Sequence, residues 1–141
     1  MAVEQVMEEV TVSVMAVVAA ALAGFVVGGL WYSPLLFGNP WMRAAGVTEE
    51  QVAAGNKARI FGLSLIFLLI MSYCLAMFIG TPDITWKTGA FYGFLTGFGW
   101  IFFACGVVAL FELRTWTYVL VNGGYWVVTM TLMGAILGGW R

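Results

Sequence analysis

An all-α membrane fold is what this sequence predicts: a polytopic, up-down bundle of four transmembrane helices with a short interfacial segment after the first span. Three observations carry that expectation. The chain has 141 residues, of which 62% are hydrophobic and 9% charged, whereas a water-soluble domain of this size carries about 25% charged residues. The apolar residues gather in four runs, 10–32, 60–79, 89–111 and 118–140, and none holds an Asp, Glu, Lys or Arg. Each run reaches the length of roughly 20 residues that crosses a hydrocarbon core as a helix. Backbone in lipid must satisfy its own hydrogen bonds, and a closed barrel needs at least about eight alternating segments, a pattern absent here.

Taken in order, the amino end carries Glu4, Glu8 and Glu9 and no basic residue. A secretory signal begins with a basic region, so 10–32 is expected to be a retained first span. Ser33-Pro34 ends it, because proline disfavours α conformation in the residue before it. A polar loop, 33–59, follows. Within it Thr48-Glu49-Glu50-Gln51 matches a capping box, which predicts a short helix running on into the second span. Thr81-Pro82-Asp83 makes a tight turn to the third span, and Glu112-Leu113-Arg114-Thr115 a short connection to the fourth. Such connections make successive spans antiparallel neighbours within one domain, 1–141. The loops 33–59 and 112–117 hold Arg43, Lys57, Arg59 and Arg114, against Lys87 and Arg141 on the other side. The positive-inside rule then places both termini outside the cytoplasm.

Helices in lipid associate through close packing, and small residues four apart let backbones approach. Every span carries such a seam. The third has Gly89, Gly93 and Gly97, continuing through Ile101 to Cys105; the first has Gly24 and Gly28, the second Ser72, Ala76 and Gly80, and the fourth Gly134 and Gly138. Packing of the four helices within one chain is the first expectation, and a homodimer through one of these seams the second. Shared glycine composition also explains why 22–31 in the first span resembles 132–140 in the fourth. Cys74 and Cys105 fall in antiparallel spans at depths that differ by roughly 12–16 Å. That separation forbids a disulfide, and both are expected as small packing residues.

Chemistry is narrowly bounded. The chain has no histidine, which removes the commonest general base and metal ligand together. No ionisable Asp, Glu, Lys or Arg lies in the four runs to mark a proton path. No catalytic set, metal site or cofactor is expected, and the protein is not expected to be an enzyme. The net charge of −1 and the scattered six Lys and Arg give no footprint for nucleic acid.

The polar residues that remain converge. Tyr118, Asn122, Tyr125 and Thr129 recur at helical spacing on the fourth span, and an amide in hydrocarbon needs a partner. Trp31, Tyr32, Ser33, Phe37, Trp41, Glu112, Arg114, Asn122 and Tyr125 all map to one membrane face. Glu112 and Arg114, two apart, would not pair on a regular helix and are expected to meet the first loop. Aromatics at a span end suit the headgroup layer, while two prolines and a glycine within 31–41 suggest a fixed interfacial or re-entrant segment.

Trp31-Tyr32-Ser33-Pro34-x-x-Phe37-Gly38-x-x-Trp41 resembles the signature of an uncharacterised family of small bacterial four-span membrane proteins, a domain of unknown function. The likeness continues in Leu110-Phe111-Glu112, in Asn122-x-Gly124-Tyr125 and in Gly134-Ala135-Ile136-Leu137-Gly138. At Trp126 the chain departs from the family pattern, which has histidine after the tyrosine. The resemblance implies four helices and a multi-pass protein of the bacterial inner membrane, and implies no activity. Two functional expectations follow. One is a non-catalytic protein that binds membrane lipid or a small amphipathic molecule at the face of the 33–59 and 112–117 loops. The other is a small transporter or channel subunit, oligomeric around the Tyr118–Thr129 stripe.

Overall fold

The computed structural model describes residues 12–140; the acidic start, the first two residues of the expected first span and Arg141 lie outside the described residues. Four helices are long and apolar enough to cross a membrane: Val14–Trp31, Lys57–Ile79, Trp86–Phe111 and Trp116–Gly139. We label Val14–Trp31 α1, Gly38–Ala45 α2, Glu49–Ala54 α3 and Lys57–Ile79 α4. The third span comprises α5, Trp86–Phe94, a π-helical segment, Leu95–Phe102, and α6, Phe103–Phe111; Trp116–Gly139 is α7. Their outer surfaces are apolar, with Phe78, Phe111 and Trp116 among the most exposed side chains. Water would not tolerate such a surface on a monomer, and lipid matches it.

Side-chain caps set the helix starts. The hydroxyl of Ser13 accepts from the Ala16 amide at the head of α1, and that of Thr115 accepts from the Tyr118 amide at the head of α7. Thr85 and Thr88 form a capping box at α5. Such caps satisfy amide donors that a helix start leaves free, and they extend the third and fourth spans a few residues beyond the uncharged runs. Lys87 therefore sits in the first turn of α5. The capping box of Thr48 with Gln51 forms as its sequence predicts. Its helix does not continue into the second span, however. Gly55 is extended after Ala54, and the Asn56 side chain starts α4 afresh by accepting from the Arg59 amide at 3.1 Å.

The fourth span is the centre of the molecule. It packs on α1, on the third span and on α4, and it is the most buried span, the third being the least. The core joins Ala16, Val17 and Ala20 of α1 to Leu75, Ala76 and Ile79 of α4 and to Met130, Met133 and Leu137 of α7. In that core Ser72 donates to the Val17 carbonyl oxygen at 2.9 Å. The third span attaches almost wholly to α7, and α4 meets it chiefly at its first part, Trp86–Phe94. The short turn at residues 81–83 thus makes the second and third spans antiparallel but does not hold them together along their length.

The glycine seams explain that asymmetry. A Cβ at Gly89, Gly93 or Gly97 would collide with backbone carbonyl oxygens of Gly134, Met130 and Trp126 respectively. Backbone meets backbone there, so the third span is drawn onto α7. Gly24 faces Thr129 and Leu68, and Gly28 faces Tyr125. The seams are therefore turned inward, whereas Gly29, Gly62 and Gly99 face open space. The expected row on the third span changes course beyond Gly97. Phe102, not Ile101, lies against Gly123; Gly106 lies beside Val119, and Ala109 is buried. A step of five from Gly97 to Phe102 is the i to i+5 spacing of a π turn, and this segment shifts the contact row by one residue. Both cysteines are free, as their depths require. Cys74 faces outward rather than into the packing, and Cys105 is half-buried.

Candidate binding site

The loop 33–59 and the connection at residues 112–115 share one membrane face, here the loop face. The turn that leads into it is built from its own sequence. The Trp31 carbonyl oxygen accepts from the Phe37 amide at 2.9 Å, and that of Ser33 accepts from the amides of Leu36 and Gly38 at 3.1 and 2.9 Å. The Ser33 hydroxyl donates back to the Leu30 carbonyl oxygen at 2.7 Å. Gly38 is buried in the elbow, where a Cβ would press on the Tyr32 and Ser33 carbonyl groups. The Trp31 ring lies over Phe37 at 4.6 Å, and Tyr32 packs edge-on to Trp41 at 5.5 Å. The segment is thus fixed, as expected: a tight turn followed by α2.

This knot is fastened to α7. The Trp31 indole N–H donates to the Val121 carbonyl oxygen at 2.8 Å, and the Tyr32 hydroxyl donates to Asn122 Oδ1 at 2.6 Å. Deeper in, the Tyr125 hydroxyl donates to the Gly24 carbonyl oxygen at 2.9 Å. The Tyr32 ring is half-buried between Trp41 and Tyr125. Trp31, Tyr32, Phe37, Trp41, Asn122 and Tyr125 therefore form one cluster.

Glu112 and Arg114 join it from the rim, and here the structure corrects the expectation. Leu113 adopts a left-handed φ of 58°, and the Arg114 amide reaches back to the Ala109 carbonyl oxygen at 2.9 Å, a Schellman closure. Because the chain leaves the helix at Leu113, the two side chains do pair, Arg114 Nε to Glu112 Oε2 at 3.4 Å. Arg114 also meets the first loop as expected, donating to the Ala45 carbonyl oxygen at 3.1 Å, and stacks on Tyr118 at 5.3 Å.

Thr129 is fully buried, and its hydroxyl makes no well-formed hydrogen bond among the described residues; its polar neighbour is the Tyr125 hydroxyl one turn away. Tyr125 and Thr129 both face α1. The deeper half of the stripe accordingly points into the chain, and Tyr118 and Asn122 are half-buried.

Two concavities flank the structure. On the loop face an open groove of about 290 Å³ is lined by Asn39, Met42, Arg43, Val47 and Glu49. On the opposite face a more enclosed cavity of about 210 Å³ lies among Val12, Ser13, Ala16, Ala76, Ile79, Gly80, Leu137 and Trp140. Neither set stands out in the sequence. The groove residues read as an ordinary polar loop, and the cavity joins the ends of three spans far apart along the chain. The groove alone offers charge of both signs.

Residues 15–138 match the family model described as a protein of unknown function, DUF1761. The chain belongs to the DUF1761 family. Comparison with curated proteins and with solved structures returned no match. The DUF1761 match spans the knot, all four spans and the glycine seams, so the arrangement described above lies within the family region.

Proposed function

We propose that this DUF1761 protein is a non-catalytic, multi-pass protein of the bacterial inner membrane that binds membrane lipid at its loop face, with that face toward the cytoplasm. The groove beside α2 carries this reading. Arg43 and Glu49 line one depression with Met42 and Val47 between them. A zwitterionic lipid headgroup presents a phosphate and an ammonium group, which complement a guanidinium and a carboxylate. The knot holds α2 at the surface, and Trp31, Trp41 and Tyr32 are the residue types that sit well at headgroup depth. With no histidine in the chain, the commonest general base is missing.

Quantifying phospholipid retained after detergent purification tests the reading. Arg43→Ala and Glu49→Ala should each lower retained zwitterionic phospholipid severalfold while leaving the folded protein monodisperse. Unchanged lipid content in both variants would refute headgroup binding in this groove.

A further inference from the structure

We propose that the Asn122 amide nitrogen is the hydrogen-bond donor of a lipid-accessible site on α7, open between the second and third spans, for an apolar molecule carrying a carbonyl or ester oxygen. The proposal deepens the lipid-binding reading by naming a donor and a ligand chemistry below the headgroup layer.

The side-chain amide has two ends with different fates. Its oxygen is occupied by the Tyr32 hydroxyl. That phenol has no other acceptor among its hydrogen bonds, so the amide is oriented with Oδ1 toward it. Nδ2, with two N–H donors, donates to no group among the described residues. The nitrogen is not sealed in either, since among the described residues the buried side-chain polar atom lacking a well-formed hydrogen bond is the Thr129 hydroxyl, not Asn122 Nδ2. It is therefore reachable from outside.

Depth makes this consequential. Asn122 lies six residues into α7 from Trp116, about 9 Å along the axis at 1.5 Å per residue. A helix of 24 residues is about 36 Å long and overhangs a hydrocarbon core of about 30 Å slightly at each end. Asn122 then sits several ångströms below the hydrocarbon boundary. Water is scarce there, and an unmet amide donor is costly.

Direction identifies the opening. Successive residues on α7 turn by about 100°. Gly123 and Gly134 face the third span, and Gly124 and Tyr125 face α1. Asn122 points between the two, about 20° from Thr129 on the helix, along the row that continues eleven residues on to Met133, which packs in the core with Ala16, Val17 and Ala20 of α1 and with Leu75, Ala76 and Ile79 of α4. At the level of Asn122, α4 gives no such cover. Ile60, Phe61, Gly62, Leu63, Ile66 and Phe67 are exposed, and Ser64 and Leu65 only half-buried. Tyr32, Trp41 and α2 roof this end of α7 from the loop side, while α4 meets the third span chiefly at its Trp86–Phe94 part, at the other face, and leaves the side beneath that roof toward lipid. A donor at hydrocarbon depth, reached sideways from lipid, selects a mostly apolar molecule with an acceptor oxygen. Acyl esters and isoprenoid quinones share that chemistry.

The test reads the nitrogen itself. The chain has three asparagines, Asn39, Asn56 and Asn122, so the side-chain amide resonances of ¹⁵N-labelled protein in micelles are few, and Asn122→Ala assigns the one of interest. Wild-type protein is titrated with a diacylglycerol, with an alkyl benzoquinone, and with an alkane of matching length. The Asn122 amide should shift saturably with at least one carbonyl probe and stay fixed with the alkane, and whichever probe acts identifies the source. No shift with either carbonyl probe, or an equal shift with the alkane, overturns the proposal. If Arg43→Ala still depletes headgroup lipid in that event, the groove reading stands and only the Asn122 site falls.

Discussion

Replacing Gly93 by alanine tests the packing that holds the third span. A Cβ there would overlap the Met130 carbonyl oxygen and lie 2.8 Å from its carbon and 3.1 Å from Thr131 Cα. All three atoms are backbone and cannot rotate away. Ordinary contact begins near 3.4 Å, so the carbon contact alone demands a withdrawal of about 0.6 Å and the deeper overlap with the oxygen demands more, loosening the neighbouring contacts of Gly89 and Gly97 as well. Overpacking of this kind costs about 1–3 kcal/mol, while alanine returns up to about 1 kcal/mol of helix propensity. The net loss should be about 1–2 kcal/mol. Gly62→Ala is the control, because nothing lies within 4 Å of its added methyl group, leaving only the propensity gain of up to about 1 kcal/mol. Reversible unfolding in mixed detergent micelles, followed by tryptophan fluorescence, measures both. The expected order of stability is Gly62→Ala, wild type, Gly93→Ala, with about 2–3 kcal/mol between the extremes. Equal stability of the two alanine variants would refute backbone-to-backbone packing of the third span on the fourth.

Three further outcomes follow from other parts of the fold. Tyr125→Phe removes the hydrogen bond to the Gly24 carbonyl oxygen and should cost about 1 kcal/mol in the same unfolding measurement. Gly38→Ala should disrupt the elbow where the Tyr32 and Ser33 carbonyl groups leave no room, seen as faster proteolysis within residues 33–59. Leu113→Gly should stabilise the protein by about 1 kcal/mol, since a 90% exposed leucine loses no packing and sheds the strain of its left-handed φ.

The spans were legible because hydrocarbon thickness demands long uncharged runs, and sequence shows those directly. Their starts were less so. Thr85 and Thr115 mark helix heads by capping, a signal that an uncharged-run criterion passes over. The Trp31–Trp41 motif could be recognised as a fixed segment, and the structure adds its reason: Trp31 packs on Phe37, Tyr32 packs edge-on to Trp41, and Gly38 fills an elbow without space for a Cβ. The π turn could not be foreseen. Leu95–Phe102 has no composition that specifies five-residue spacing, and only the partner surface of α7 reveals that Phe102 replaces Ile101 against Gly123. The pairing of Glu112 with Arg114 depended likewise on a backbone angle at Leu113 that its side chain does not favour. Asn122 drew notice as an amide in an apolar run. Which of its two ends remains free is a tertiary fact, set by a tyrosine 90 residues earlier in the chain.

Sidedness tests the four-span account most directly. With Cys74 and Cys105 replaced by serine, single cysteines at Val47, Leu113 and Lys87 are exposed to a membrane-impermeant maleimide in right-side-out vesicles. Label should reach Lys87→Cys from outside, and Val47→Cys and Leu113→Cys only after permeabilisation. Labelling of Lys87→Cys and Leu113→Cys from the same side would contradict a third span that crosses the membrane.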